Sequence, residues 1–176
     1  MLTLSQQIVI EQFAKELIVK IGEVFKHKNI MRKSVRYEGG KRIERTYSSP
    51  ISASGNLVKS LRFNLTETHL EIWSEDYVYF LIHGRKPTKG GGSGAVKDKI
   101  RDWIDHKGIK ADIDKDTLAY LIARKIHREG NSIYLYYQGK NSGLLNNILT
   151  EEMKQEFNDK FTRQLGEDLA NEFNGN

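Results

Sequence analysis

Leu61-Arg-Phe-Asn-Leu65, Thr66-Glu-Thr68 and Leu70-Glu-Ile-Trp73 decide the fold class. Apolar residues alternate with polar ones on both sides of a short polar turn. This period of two is that of a half-buried strand pair, with Leu61, Phe63 and Leu65 on one face and Leu70 and Ile72 on the partner's. An antiparallel hairpin of this kind needs helices to cover its apolar face, and the flanking sequence supplies them.

Upstream, residues 4–28 read as one amphipathic helix. Ile10, Phe13, Leu17, Ile21 and Val24 recur every three or four positions, widened by Ala14, Ile18 and Phe25. Thr3 and Gln6 have the spacing of a capping box at its start. Gly22 weakens the helix without ending it. Lys33–Tyr47 reads as a second hairpin turning at Glu38-Gly39-Gly40-Lys41, because a Gly-Gly pair supplies the positive φ values of a two-residue turn. Its apolar positions are few and its Lys and Arg many, which predicts an arm over 32–47 projecting from the core. Ser48–Gly55 is a small-residue connector, followed by a helical turn over Asn56–Leu61.

Downstream, Asp76–His83 predicts a helix stopped by Gly84. Arg85–Gly94, with its four glycines, a proline and three cations, predicts a mobile loop. Ala95–His106 predicts a helix with Ile100, Trp103 and Ile104 inward. Thr117–Arg128 predicts another, capped by Asp114 or Asp116, with Leu118, Leu121, Ile122 and Ile126 on its inner face. Ser132–Tyr137 reads as β-prone. From Leu145 to Phe173 an apolar residue recurs every fourth position (145, 149, 153, 157, 161, 165, 169, 173). At 3.6 residues per turn such a stripe drifts about 40° per step, so the helix must wrap around a partner surface or break, with Gly166 the expected breakpoint. The sum is one α+β domain over 1–176: a small antiparallel sheet built from hairpins, packed by an N-terminal helix and several C-terminal helices.

Charge is unevenly placed. Residues 26–45 carry eight Lys or Arg against two acids, a net +6, and residues 85–101 carry six against one, a net +5. Residues 147–176 carry three against seven, a net −4. A basic body with an acidic tail suits polyanions, or a ring in which one subunit's tail meets its neighbour's basic face. Arg32, Lys33, Arg36, Lys41, Arg42 and Arg45 on the first hairpin, with Arg85, Lys86 and Lys89 in the loop, are the candidate contacts to DNA or to another subunit. Tyr37 and Tyr47 interleave the hairpin cations, and no motif for reading base sequence accompanies them.

Reaction chemistry finds no footing. The chain has no cysteine, so it holds no disulfide and no thiolate ligand or nucleophile. Its five histidines, at 27, 69, 83, 106 and 127, show no metal-ligand spacing, and no serine has an activating base in sequence. Lys89–Lys97 looks like a phosphate loop but places Ala95 after Gly94, where a Walker motif needs lysine and then a hydroxyl. The expectation is a non-enzyme without metal or cofactor. No apolar run approaches the roughly 20 residues of a membrane span.

Three segments in fixed order carry a resemblance: Ser54-Gly-Asn-Leu-Val-Lys-Ser-Leu61, Tyr77-Val-Tyr-Phe-Leu-Ile-His-Gly84 and Leu118-Ala-Tyr-Leu-Ile-Ala-Arg-Lys-Ile-His-Arg-Glu-Gly130. Together they resemble the neck, or tail-completion, proteins of tailed bacteriophages, through Gly55, Leu57 and Ser60, then Tyr77, Phe80 and Gly84, then the helix ending at Gly130. The second segment departs from the family pattern, with Ile82 where an acid is common and Arg85 where threonine is. The resemblance implies a structural virion protein assembled in the host cytoplasm. It would form a six-fold or twelve-fold homo-oligomeric ring between the portal or its adaptor and the tail tube, with DNA passing through. Gly55 and Gly84 would set backbone turns, while Tyr77 and Phe80 would pack the sheet against the helix. The alternative from the residues is a sequence-blind nucleic-acid-binding module that uses the hairpin over 32–45.

Overall fold

The helices and hairpins follow the sequence periodicities closely at their starts and less closely in which faces they bury. The computed structural model describes residues 2–51, 55–66, 69–88 and 94–174. In chain order the elements are α1 (Leu4–His27), β1 (Asn29–Glu38), β2 (Lys41–Pro50), α2 (Asn56–Lys59), β3 (Arg62–Leu65), β4 (Leu70–Trp73), α3 (Tyr77–His83), α4 (Ala95–Lys107), α5 (Lys115–Glu129), α6 (Ser132–Tyr137) and α7 (Glu151–Asn174). The fold is mixed α and β, with two separate antiparallel two-stranded sheets, β1–β2 and β3–β4. The chain divides into two compact units.

One unit combines residues 1–25, 57–75 and 145–176. The Thr3–Gln6 capping box forms in both directions at the start of α1: Thr3 N–H donates to Gln6 Oε1, and Gln6 N–H to Thr3 Oγ1, each at 3.2 Å. α1 runs antiparallel to α7, with Phe13 and Phe157 rings 4.5 Å apart. Ala14, Phe25, Leu57, Ile148 and Met153 are the buried apolar residues here. Gly22 is a packing residue as well as a weak helix former. A Cβ there would lie 3.3 Å from Val58 Cγ1, so the missing methyl lets the α2 segment approach. β3 and β4 pair Phe63 with Ile72 and Leu65 with Leu70, as the alternation requires. Part of their connecting turn, Glu67 and Thr68, lies outside the described residues.

α7 corrects two expectations. Leu145 and Leu149 precede the helix, and Gly166 does not break it: α7 is continuous over 24 residues. The drift expected of the four-residue stripe is instead visible as rising exposure. Met153 is 7% exposed, Leu165 40%, Leu169 46% and Phe173 81%. The helix stays helical because it is paid for locally by its leucines, lysines and glutamates, and the stripe simply rotates off the packed side.

The other unit combines residues 26–56 and 76–144. The β1–β2 hairpin is longer than expected, pairing Asn29 with Pro50 through to Glu38 with Lys41. Gly39 and Gly40 have φ of 55° and 78°, the two positive values that a tight hairpin turn uses. Its base is not a free arm. Ile30 and Val35 are buried, α6 packs against β1, and Lys125 Nζ donates to the Val35 carbonyl at 2.6 Å. Only the outer part, from Arg36 round to Arg45, is largely exposed.

Ser132–Tyr137 forms a helix, against the β-prone reading. Asn131 caps it, its Oδ1 accepting from Tyr134 N–H at 2.8 Å, and Ile133 is buried to 1% exposure. The cap and that buried contact outweigh the weak β preference of tyrosine and isoleucine. Two inward assignments also change. Trp103 is 40% exposed and Leu121 47% exposed, while Ile104, Ala119 and Ala123 are the residues buried on α4 and α5. Small alanines let helices approach, which turns the bulkier neighbours outward. Asp114, not Asp116, caps α5, accepting from Thr117 N–H at 2.9 Å.

Candidate functional site

The residues that carry the three-segment resemblance sit where backbone geometry is most constrained. Leu57 is fully buried at 0% exposure. Ser60 Oγ donates to the Leu57 carbonyl at 2.8 Å and accepts from Glu75 N–H at 3.1 Å, tying α2 to the segment after β4. Gly55 has φ of 71°. Gly84 has φ of 75° and ψ of 165°, a region open essentially to glycine alone. A Cβ on it would lie 2.2 Å from Tyr134 N, inside the backbone of α6. Gly130, with φ of 84°, meets the same residue: its Cβ would lie 2.6 Å from Tyr134 Cδ1 and 2.8 Å from the Arg85 carbonyl. The second and third segments therefore close on one point.

Asn131 completes that point. Its Oδ1 also accepts from Arg85 N–H at 3.0 Å, while its own N–H donates to the Arg85 carbonyl at 2.9 Å. Ser142 then joins α3 from the other side, donating through N–H to Ile82 O at 2.8 Å and through Oγ to Leu81 O at 3.2 Å. Tyr77 does not pack inward as expected. It is 37% exposed, and Leu81 is the buried residue of α3.

The candidate cations divide by what they touch. Arg32 is mostly covered; its Nη1 donates to Ser132 Oγ at 3.3 Å, and burial pulls its guanidinium below the ordinary arginine pKa. Lys33 lies 2.6 Å from Glu44, whose carboxyl is held below its ordinary pKa chiefly by the hydrogen bond from Lys33. Arg85 sits with its guanidinium 5.4 Å from the centre of the Phe80 ring. These three serve the fold. Arg36 and Arg42 are exposed and pair with Glu38 at 3.0 Å and Glu44 at 2.7 Å. Lys41, Arg45 and Lys86 are exposed. Lys89, and half of the expected mobile loop (residues 89–93), lie outside the described residues. The described part, Arg85–Thr88, is fastened: Thr88 N–H donates to the His127 carbonyl at 2.8 Å and Thr88 Oγ1 lies 2.5 Å from His127 Nδ1.

Such exposed pairs contribute little to stability, so the outer hairpin keeps its cations available to a stronger anionic partner. Tyr37, 65% exposed, stands among them. A crevice of about 10 Å³ between α1 and α7, lined by Val9, Phe13, Met153 and Phe157, has room for about one water.

Among the described residues no three of His, Asp or Glu are grouped to hold a metal ion, and no helix is long and apolar enough to cross a membrane. Sequence reasoning missed Asn131 and Tyr134. A Gly-Asn-Ser run just before an apolar stretch was the available sign, since asparagine is a preferred helix cap. It also missed Asp168, which clamps α7 to the start of α1; nothing local distinguishes that aspartate from its acidic neighbours. No protein-family model, curated protein or solved structure matches the chain.

Proposed function

We propose that this chain is a structural subunit of a tailed-phage neck, a homo-oligomeric ring joining the portal or its adaptor to the tail tube. One observation carries the reading: Gly84 and Gly130, from two separate segments of the resemblance, both close on Tyr134. The second and third segments thus meet in one packed junction, which supports reading them as parts of one motif. The large exposed features are elongated, a hairpin and a helix end, and such elements reach neighbouring subunits. Exposed cations on the hairpin suit a neighbour's acidic surface or the phosphates of DNA in the channel. The test is electron microscopy of particles assembled without this chain. Filled heads lying apart from complete tails are expected, and normal infectious particles would overturn the reading.

A second reading is a sequence-blind nucleic-acid-binding module. The exposed cations Arg36, Lys41 and Arg45 on one face of the outer hairpin, with Arg42 beside exposed Tyr37 on the other, favour it. Duplex affinity of the isolated chain that falls steeply with salt, together with normal particles in its absence, would establish it.

A further inference from the structure

The apolar stripe of α7 outlasts the surface it packs on. Its inner residues Met153 and Phe157 are covered against α1, while Leu165, Leu169 and Phe173 emerge progressively to 81% exposure. On α1, Leu4 at 74% and Ile8 at 48% are exposed in the same stretch that the Asp168 clamp holds. Three large apolar side chains at regular spacing on one helix end, with two more on its antiparallel partner, form more than scattered surface hydrophobics.

Charge selects the occupant. Residues 147–176 carry seven carboxylates against three cations, a net −4, and at helical spacing Glu172 lies beside the exposed stripe. Pairing two copies of α7 face to face would set these carboxylates against their own counterparts, which is unfavourable. A matching surface needs cations around an apolar centre. The outer β1–β2 hairpin has this composition: Arg36, Lys41 and Arg45 share one face with Ile43, the cross-strand partner of Arg36, within a segment of net +6. We propose that the α7 end of one copy docks on the outer hairpin of a second copy. The two surfaces differ, so the contact is head-to-tail and repeats from copy to copy, closing into a ring or continuing as a filament. The proposal deepens the neck reading by naming its subunit contact, and rests on that reading for ring closure.

The test is sedimentation velocity on the full chain over a concentration series, at low and high salt. The wild type should associate with rising concentration and less so in high salt. L169S/F173S should sediment as a monomer with an unchanged circular dichroism spectrum. E172K and K41E/R45E should each lose self-association, and an equimolar mixture of the two should regain it. The mixture works because each variant supplies the surface that the other's reversal requires. A wild type that is monomeric throughout, variants that associate like the wild type, or a mixture that stays monomeric would each overturn the contact. The neck reading fails separately: it falls only if particles lacking the chain are normal.

Discussion

Asp168 accepts a hydrogen bond from Thr3 Oγ1 at 2.5 Å, fastening the far end of α7 to the first turn of α1. Ser5 Oγ at 2.8 Å, Gln6 Nε2 at 2.9 Å and Gln164 Nε2 at 3.0 Å donate to the same carboxylate. These donors, Thr3 foremost, hold its pKa below the ordinary 3.8. A carboxylate at a helix start also complements the helix dipole. A depressed folded-state pKa stabilises the protein fully above the unfolded value and loses that contribution as pH falls through the folded one. Asp168→Ala should therefore lower the melting temperature at pH 7. The gap from wild type should narrow as pH drops below about 4. Thermal melts at several pH values check this.

Gly84→Ala should cost about 3 kcal/mol or more, since the new Cβ meets backbone 2.2 Å away and the residue must keep φ of 75°. Gly166→Ala should do the opposite. Gly166 lies inside a continuous helix with open space around it, so alanine should stabilise by about 0.5–1 kcal/mol. Urea unfolding of the two variants separates a glycine required by packing from one that is not.

Leu57→Ala should destabilise by about 2–5 kcal/mol, because the side chain is fully buried. Phe173→Ser, at 81% exposure, should change monomer stability by no more than about 0.5 kcal/mol. A large loss in the second, measured by the same unfolding, would place Phe173 in an internal contact.

The β1 amides of Ile30 to Val35 should exchange with solvent more slowly than those around the turn. The base of the hairpin is covered by α6 and the tip is not. Hydrogen exchange read by mass spectrometry resolves this gradient. Uniform fast exchange along β1 would restore the picture of an arm projecting over its whole length.

Much of this fold is legible where a local rule acts alone. Thr3–Gln6 caps α1, Gly39-Gly40 turns the first hairpin, and the Phe63 and Leu65 alternation forms the second. Legibility ends where tertiary packing decides. Ser132–Tyr137 becomes a helix because Asn131 caps it and β1 offers Ile133 a burial site. Ala119 and Ala123, unremarkable in sequence, take the inner face from Leu121 because they let α4 and α5 approach. The charge of the candidate surface is equally legible, but its division is not. Arg32 and Arg85 look like Arg36 and Arg42 in sequence. Only Ser132 beside the first and Phe80 beneath the second assign those two to the fold.

The central claim is that this chain joins heads to tails, and the direct measurement is joining in vitro. Heads and tails from particles assembled without the chain are mixed with the purified protein, and joined particles are counted by electron microscopy. The account predicts that joined, infectious particles appear with the wild-type chain and not with L169S/F173S. Heads and tails that join equally well without the protein would contradict it.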